Sequence, residues 1–517
     1  MGAEHVTYRG LFERVNFIRA GLRERGLRAG DRIGVLSRHA VDYVSLYFAC
    51  AAESMTLVPL SYWHREAEQR DIFGAAKPAL LVAEQEFAGQ IEGIASALGI
   101  PLVLVANGTD AEDGVSPAWS ALYGRSGENG EADHGGAHPH MMLFTSGTTG
   151  KPKGAMLSQA RTVESAYAMS LALGLRTSDV YLDCFRTFHS GSWDHLKLYF
   201  LVGATVVFMR DFDAAKAVDV IGMEKVSVLL AGGTMFRLLM DAPRFGRTDL
   251  SSLRLVYGGA FEDGTGLAAQ FMDVLHRHNA RAEYLATYGL TEFGPYVAYM
   301  PAAEVPIAPK ATGRPLPGVR VELVDDDGNP VPRGTAGEIV AYGPSFDGYL
   351  DAPDETAKAR LGSGLRTGDV AIEDEHGYLT IVDRKKDVVR SGAHNIFSAQ
   401  VESCLAVLDE VAEAAVVGVP DALLGETVCA VVVFANGAAA DPAAAVDHLQ
   451  RHVRASLAGY NVPRFVVAVE ALPRNSNGKV LKRELRDWLR ELPNTGQAPA
   501  GAIAALWARE GKGSRHG

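Results

Sequence analysis

The sequence predicts an α/β protein in two parts, a large N-terminal layered α/β domain with a β subdomain and then a small C-terminal α/β domain. Three observations predict it. At 517 residues the chain is longer than one hydrophobic core organises. Short apolar runs alternate with amphipathic helical stretches, the pattern of layered α/β structure. A charged break, Asp383-Arg384-Lys385-Lys386-Asp387, then interrupts the chain, and a second alternation, enough for a domain of about a hundred residues, follows it.

Thr7–Gly26 reads as a helix, with Leu11, Val15, Ile18 and Leu22 on one face, Thr7 at the cap and Gly26 past the end. Gly30-Asp31 turns into the strand Arg32–Ser37, and a second helical stretch runs to about Ala52. Further strands are expected at Thr56–Leu60, Lys77–Ala83 and Pro101–Val105. Residues 107–138 are polar, Gly- and Ala-rich and without a period, and read as a surface excursion. Alternation resumes with Val180–Cys184, Ala204–Met209, Val226–Ala231 and Leu253–Tyr257. Val319–Val324 and Glu338–Tyr342 frame the turn Asp325–Pro330 and mark the β subdomain. Beyond the charged break come helix Val401–Leu408, strands Ala414–Val419 and Val428–Phe434, a helix with Val446, Leu449, Val453 and Leu457 on one face, and strand Phe465–Val469.

Charge and cysteine content narrow the function. Lys plus Arg is 50 against 62 Asp plus Glu, a net −12, the wrong balance for gripping nucleic acid or an anionic membrane. Any phosphate site must therefore be local. Cys50, Cys184, Cys404 and Cys429 form no CxxC pair and sit in apolar contexts, so neither zinc nor a disulfide framework is indicated. The N-terminus lacks an apolar signal core and no run of 18 apolar residues occurs. A reducing cytosol is expected, with no membrane span, and the chain reads as a monomer or homodimer.

The stretch that organises the rest is Met141–Leu157. Four apolar residues read as a buried strand, and the chain then breaks into Thr145-Ser146-Gly147-Thr148-Thr149-Gly150-Lys151-Pro152-Lys153-Gly154. Three glycines free the backbone so that its N–H groups can converge on an anion, four hydroxyls add donors, and the lysines bring positive charge. Most Gly/Ser/Thr runs are solvated surface loops, and the spacing is not that of the G-x-x-x-x-G-K-[ST] loop. The order of residues nevertheless resembles the phosphate loop of the AMP-forming adenylate synthetases, the superfamily of acyl-CoA ligases, peptide-synthetase adenylation domains and beetle luciferases.

Five downstream motifs match that pattern in order. Gly258-Gly259-Ala260 resembles the adenine-facing Gly-Gly-Ala at a strand end. Tyr288-Gly289-Leu290-Thr291-Glu292 is similar to Tyr-Gly-x-Thr-Glu; the resemblance implies that Tyr288 stacks on adenine, Thr291 meets the α-phosphate and Glu292 holds Mg²⁺. Thr367-Gly368-Asp369 looks like the ribose motif, and Arg384 like the arginine that also reaches the ribose or phosphate. Lys386 falls at the family's hinge, which implies domains 1–385 and 387–492 and a flexible tail 493–517. Pro473–Val480 resembles the loop that carries a catalytic lysine, here Lys479.

The acid pocket is implied by Phe188-His189-Ser190-Gly191, where His189 orients the carboxylate, with Trp193 and His195 behind it and Gly258 and Gly289 as further walls. Gly232-Gly233 replaces the bulkier Val-Pro often seen in acyl ligases and makes room for a wide acid. Gly392-Ala393-His394 stands where Gly-Gly-Glu is common, in the segment implied to line the thiol channel. The expected function is ligation of a hydrophobic, aryl or polycyclic carboxylic acid to coenzyme A, with ATP and Mg²⁺, as in secondary metabolism. The alternatives are an enzyme that loads a carrier protein, or one specialised for a single half-reaction.

Overall fold

Thr7 caps the first helix as its side chain accepts from the Gly10 amide at 3.1 Å, and the helix runs Tyr8–Glu24 (α1). Its inner face buries Val15, Ile18 and Leu22, each contributing about 1.5–3 kcal/mol. Arg19 and Arg23 on the same helix close on Glu53, with Arg19 Nε to Oε1 at 2.7 Å. A computed structural model describes residues 5–107, 119–127, 132, 136–146, 152–188, 190–259, 266–278, 280–294, 296–308, 311–435, 442–474, 480–495 and 505–508. The chain divides into two compact units, Met1–Val321 with Val340–Arg366, and Glu322–Ile339 with Thr367–Gly517.

In the first unit two mixed sheets form, each with parallel apolar strands, several of them buried on both faces as strands between helices require, and with antiparallel strands toward one side. The first takes β1 (Arg32–Leu36), β2 (Thr56–Pro59), β3 (Leu80–Glu84), β4 (Leu102–Val105), β5 (Pro139–Ser146) and β6 (Pro152–Ser158). The second takes β7 (Val180–Asp183), β8 (Thr205–Phe208), β9 (Val228–Leu230), β10 (Leu255–Gly258), β11 (Glu283–Gly289), β12 (Tyr296–Pro301) and β13 (Arg314–Pro315). Further on lie β14 (Arg320–Val324) and β15 (Gly337–Tyr342), of which residues 322–324 and 337–339 are assigned to the second unit, and the two-residue strand β16 (Gly348–Tyr349), which joins the first sheet beside β6. The sheet orders are β16-β6-β5-β2-β1-β3-β4 and β13-β12-β11-β10-β9-β7-β8. The helices are α2 (Val41–Ala52), α3 (Glu66–Ala76), α4 (Ala88–Leu98), α5 (Gln159–Ala172), α6 (Ser190–Val202), α7 (Ala214–Met223), α8 (Gly233–Met240), α9 (Leu267–Arg277) and α10 (Pro353–Lys358). One core joins both sheets, from Ile33, Val35 and Leu57 to Tyr181, Val228 and Leu255.

Each strand expected in this unit is present within a few residues. The 107–138 stretch departs from its expectation where it is described. Trp119 is fully buried, stacked on Tyr43 with centroids 5.6 Å apart, its amide donating to Asp42. A large aromatic outweighs the polarity of its neighbours. The three buried cysteines, Cys50, Cys184 and Cys429, and the partly buried Cys404 are all free.

The second unit holds the β18 (Gly364–Glu373) residues from Thr367 onward, paired with β19 (Leu379–Arg384); the two-residue β17 (Arg360–Leu361) belongs to the first unit. Then come β20 (Val389–Ser391), β21 (His394–Ile396), α11 (Ser398–Ala406), β22 (Val411–Asp421), β23 (Gly425–Phe434), α12 (Pro442–Ser456), β24 (Phe465–Ala468), α13 (Lys482–Thr495) and β25 (Ala505–Ala508). β22 and β23 form a long antiparallel hairpin with Ala415↔Val431 at its centre. Val416, Val428 and Leu449 lie on one side of it, and Val417, Val431 and Leu485 on the other. In the 493–517 tail, the described residues 505–508 pair antiparallel with β24. Among the described residues no helix is long and apolar enough to cross a membrane.

Candidate active site

Four neighbouring parallel strands, β7, β9, β10 and β11, run side by side, and the chain leaving each carries one sequence-predicted element. Phe188 and α6 follow β7, Gly232-Gly233 follows β9, Gly258-Gly259 ends β10, and Tyr288-Gly289 ends β11 ahead of Thr291 and Glu292. The carboxyl ends of adjacent parallel strands are where open α/β sheets hold ligands. Neighbouring strands are about 4.8 Å apart, so these segments share one edge.

Their glycines have distinct reasons. A Cβ on Gly258 would lie 2.1 Å from the Ala231 carbonyl oxygen, so no side chain fits. Gly258 O accepts from Thr287 Oγ1 at 2.6 Å, and Gly259 O from the Tyr284 hydroxyl at 2.8 Å. Cβ atoms on Gly232 and Gly259 would meet nothing within 4 Å. Open space therefore lies beside both. Gly233 begins α8, and the β11–β12 register shifts between Tyr288 and Gly289, a bulge that re-aims the chain into the turn bearing Glu292.

β5 and β6 form an antiparallel hairpin with Thr145 opposite Lys153 and Ser146 opposite Pro152. Its tip residues Gly147, Thr148, Thr149 and Gly150 lie outside the described residues, as do His189, Ala260 and Lys479. Thr145 Oγ1 donates to Glu292 Oε1 at 3.5 Å, which brings the phosphate-loop and cation motifs together across 147 residues of sequence. Thr291 Oγ1 donates to Ser190 Oγ at 3.3 Å, joining the latter to the start of α6. The ammonium of Lys153 is paired with Glu355, whose carboxyl is drawn down to about 2 by Lys153 and Lys358.

α6 is an unusual helix because its polar residues are buried. Lys197 Nζ donates to Ser165 Oγ at 3.0 Å, Asp194 Oδ1 at 3.1 Å and the Gly294 carbonyl at 3.0 Å, and His195 bonds the Tyr296 hydroxyl. These contacts fasten α6 to the chain around Glu292. Trp193 is buried, stacked on Tyr47 at 4.8 Å, with its indole N–H donated to the Thr187 carbonyl. It braces the segment before His189 from within the core.

In the second unit Asp369 and Arg384 are register partners on β18 and β19, with Arg384 Nε to Asp369 Oδ1 at 2.7 Å. Gly368 has φ +72°, a left-handed turn that suits glycine. Lys386 is exposed, and partial desolvation against its neighbours lowers its pKa. The Lys386 carbonyl accepts from Arg486 at 3.0 Å. Arg474 and Val480, on either side of residues 475–479, form an isolated bridge, and Lys482 bonds Ser398 Oγ at 2.8 Å and Glu402 at 2.6 Å. Gly392, at φ +58°, turns the β20–β21 hairpin; Ala393 and His394 are exposed, and the His394 ring stacks on Tyr460 with centroids 4.2 Å apart.

Sequence reasoning did not single out Lys197, Tyr349, Glu355, Lys482 or Arg486. Each partners a residue distant in sequence and belongs to no local signature. Glu292 with the Thr145 hydroxyl suits a hard cation that takes its remaining oxygens from phosphate and water. Among the described residues no group of three His, Cys, Asp or Glu side chains forms a metal cage.

The AMP-binding enzyme family model matches residues 1–350, and the AMP-binding enzyme C-terminal domain model matches residues 400–479. The fatty acid--[acyl-carrier-protein] ligase ScoC of Streptomyces coeruleorubidus is 34% identical over 93% of this chain and 91% of its own. A Rhodococcus jostii CoA ligase, named for a methyl-dioxo-octahydro-indenyl propanoyl group, is 34% identical over 94% of each chain. The ATP-bound crystal structure of MatB from Rhodopseudomonas palustris superposes with a TM-score of 0.81 at 28% identity, covering 95% of both chains. With matches of this extent to both of its domains, the chain belongs to the AMP-binding enzyme family of adenylate-forming enzymes.

Proposed function

We propose that this protein is an ATP-dependent, AMP-forming carboxylic acid–CoA ligase. The acid's carboxylate attacks the α-phosphorus of ATP, giving an acyl-adenylate and pyrophosphate; a thiol then attacks the acyl carbon and expels AMP, giving the thioester. The observation that carries the reading is the convergence of the Gly232-Gly233, Gly258-Gly259, Tyr288–Glu292 and α6 segments on one sheet edge, with Thr145 of the β5–β6 hairpin bonded to Glu292.

In this reading Thr145, Ser146 and the hairpin tip hold the phosphates, Lys153 adds charge, and Tyr288 stacks on the base beside Gly258, Gly259 and Ala260. Asp369 and Arg384 take the ribose. Mg²⁺, when bound at Glu292, offsets the charge of the departing pyrophosphate. Lys479 draws the carboxylate and the α-phosphate together, two anions that otherwise repel. His189 orients the acid, and Gly232 and Gly233 leave the pocket wide enough for an aryl or polycyclic group. Gly392, Ala393 and His394 serve the thiol step, Lys386 is the hinge between domains 1–385 and 387–492, and the tail 493–517 is not needed for the chemistry. The four free thiols suit a reducing cytosol.

A second reading, thioester formation on a carrier protein, is favoured by the likeness to ScoC and by His394 in the thiol segment. A panel of acids with ATP and either CoA or a phosphopantetheinylated carrier protein separates the two. AMP release and thioester are read independently, and CoA thioester of a bulky hydrophobic acid is expected. Lys479→Ala should lose acid-dependent ATP–pyrophosphate exchange by at least about a hundredfold, as loss of a transition-state charge partner does. Retained exchange would overturn the first step as written.

A further inference from the structure

We propose that Tyr349 is a positioning residue of the nucleotide–cation site, and that its hydroxyl presents the Glu292 carboxylate to the metal. The inference rests on the proposed reading of Glu292 and the β5–β6 hairpin. No motif of the sequence pointed to Tyr349, which lies 57 residues beyond Glu292.

Three observations place it there. The Tyr349 hydroxyl donates to Glu292 Oε1 at 2.8 Å, the same oxygen that accepts from Thr145 at 3.5 Å. Among the described residues Oε2 receives no hydrogen bond, so both donors turn one oxygen inward and leave the other to a ligand. The Lys153 ammonium lies 5.4 Å from the centroid of the Tyr349 ring, so one side chain touches both the carboxylate of the cation motif and the lysine of the phosphate loop.

The backbone holds this side chain firmly. Gly348 and Tyr349 pair with Met156 and Ala155 of β6, and the Leu350 amide donates to the Gly154 carbonyl at 2.8 Å. The Phe346 amide donates to the Glu292 carbonyl at 2.7 Å, and the Phe346 ring packs edge-on against Tyr349 at 4.7 Å. The short strand β16 therefore staples the exit of the phosphate loop to the turn carrying Glu292.

The test is ATP binding by calorimetry with no acid present, in saturating Mg²⁺ and in EDTA. It compares wild type, Y349F, E292Q and the double variant. Phe keeps the ring and removes only the hydroxyl. Y349F should bind ATP about tenfold more weakly in Mg²⁺, the usual cost of one hydrogen bond to a charged group, and within about twofold of wild type in EDTA. In the E292Q background it should add nothing. The Mg²⁺-to-EDTA ratio is internal to each protein, so partial destabilisation cancels from it, and AMP binding reports whether the site is folded. Equal weakening in both buffers, a loss that persists in the E292Q background, or an unchanged ratio each overturns the role of Tyr349. A wild-type protein that binds ATP in neither buffer overturns the nucleotide reading instead.

Discussion

At Gly232 the backbone has φ −124° and ψ 172°, a conformation open to any residue, and a Cβ there meets nothing within 4 Å. Glycine is thus not demanded by the fold at this position, whereas at Gly258 the Ala231 carbonyl 2.1 Å from a Cβ forbids anything else. The two are alike in sequence and opposite in cause. Gly232→Leu should therefore fold normally and fill the space proposed for the acid. Its kcat/KM for a polycyclic or aryl acid should fall by at least about tenfold, the scale on which hydrophobic pockets discriminate, while a short acid is spared. A parallel series of acids assayed for AMP release checks it, and equal losses for every acid would show that Gly232 does not face the substrate. The same contrast shows what was legible residue by residue. Motif order pointed to Gly258, Gly289, Thr291 and Glu292. It could not point to Glu355, whose partner Lys153 is 202 residues away, or to Lys197, which resembles any helical lysine until its burial is seen.

Elements were legible where a helical period or a bounded apolar run carries them. Parallel strands such as β1, β2, β3 and β9 are short apolar runs bounded by turn residues, and the burial of both their faces explains their lack of alternation. The segment around Trp119 was illegible because a lone aromatic in a polar stretch has no period, although it fills the space against Tyr43. β5, the strand entering the proposed phosphate loop, shows how an element is held at its base. His140 donates from Nδ1 to the Leu157 carbonyl at 3.0 Å and its Nε2 accepts from the Tyr47 hydroxyl at 3.0 Å, tying β5 to β6 and α2. Burial holds this imidazole neutral and lowers its pKa to about 3. The folded pKa lies below the unfolded value of about 6.5, so its contribution is complete above that pH and is lost as pH falls toward 3. Between those limits the unfolded chain binds the proton alone, and stability drops by about 1.4 kcal/mol per pH unit. His140→Gln should remove this slope. Urea midpoints at pH 7.5 and 5.0 should differ less in the variant than in wild type, by about 2 kcal/mol in unfolding free energy. An unchanged difference would mean that His140 titrates in the folded protein.

Across the whole molecule, the two units carry different parts of the proposed chemistry, and the second carries parts of both steps. Its loop bridged at Arg474 and Val480 bears Lys479, while its β20–β21 hairpin bears Ala393 and His394, with His394 set against Tyr460. Arg486 holds the Lys386 carbonyl and Asp387, and Lys482 holds Ser398, itself bonded to Asp383, so α13 is fastened to the charged break. The two steps that these segments are proposed to serve can be separated by substitution. Ala393→Gly with His394→Glu restores the residues common in the family at the thiol segment and breaks the stack on Tyr460. Thioester formation from a supplied acyl-adenylate should change by about tenfold or more in this variant, with ATP–pyrophosphate exchange held within about twofold; these are scales for one lost or gained polar contact. Lys479→Ala should give the converse, with exchange lost and thioester formation from the adenylate retained. If both variants depress both half-reactions to the same degree, the loops do not divide the work, and a single composite site must serve adenylation and thiol transfer alike.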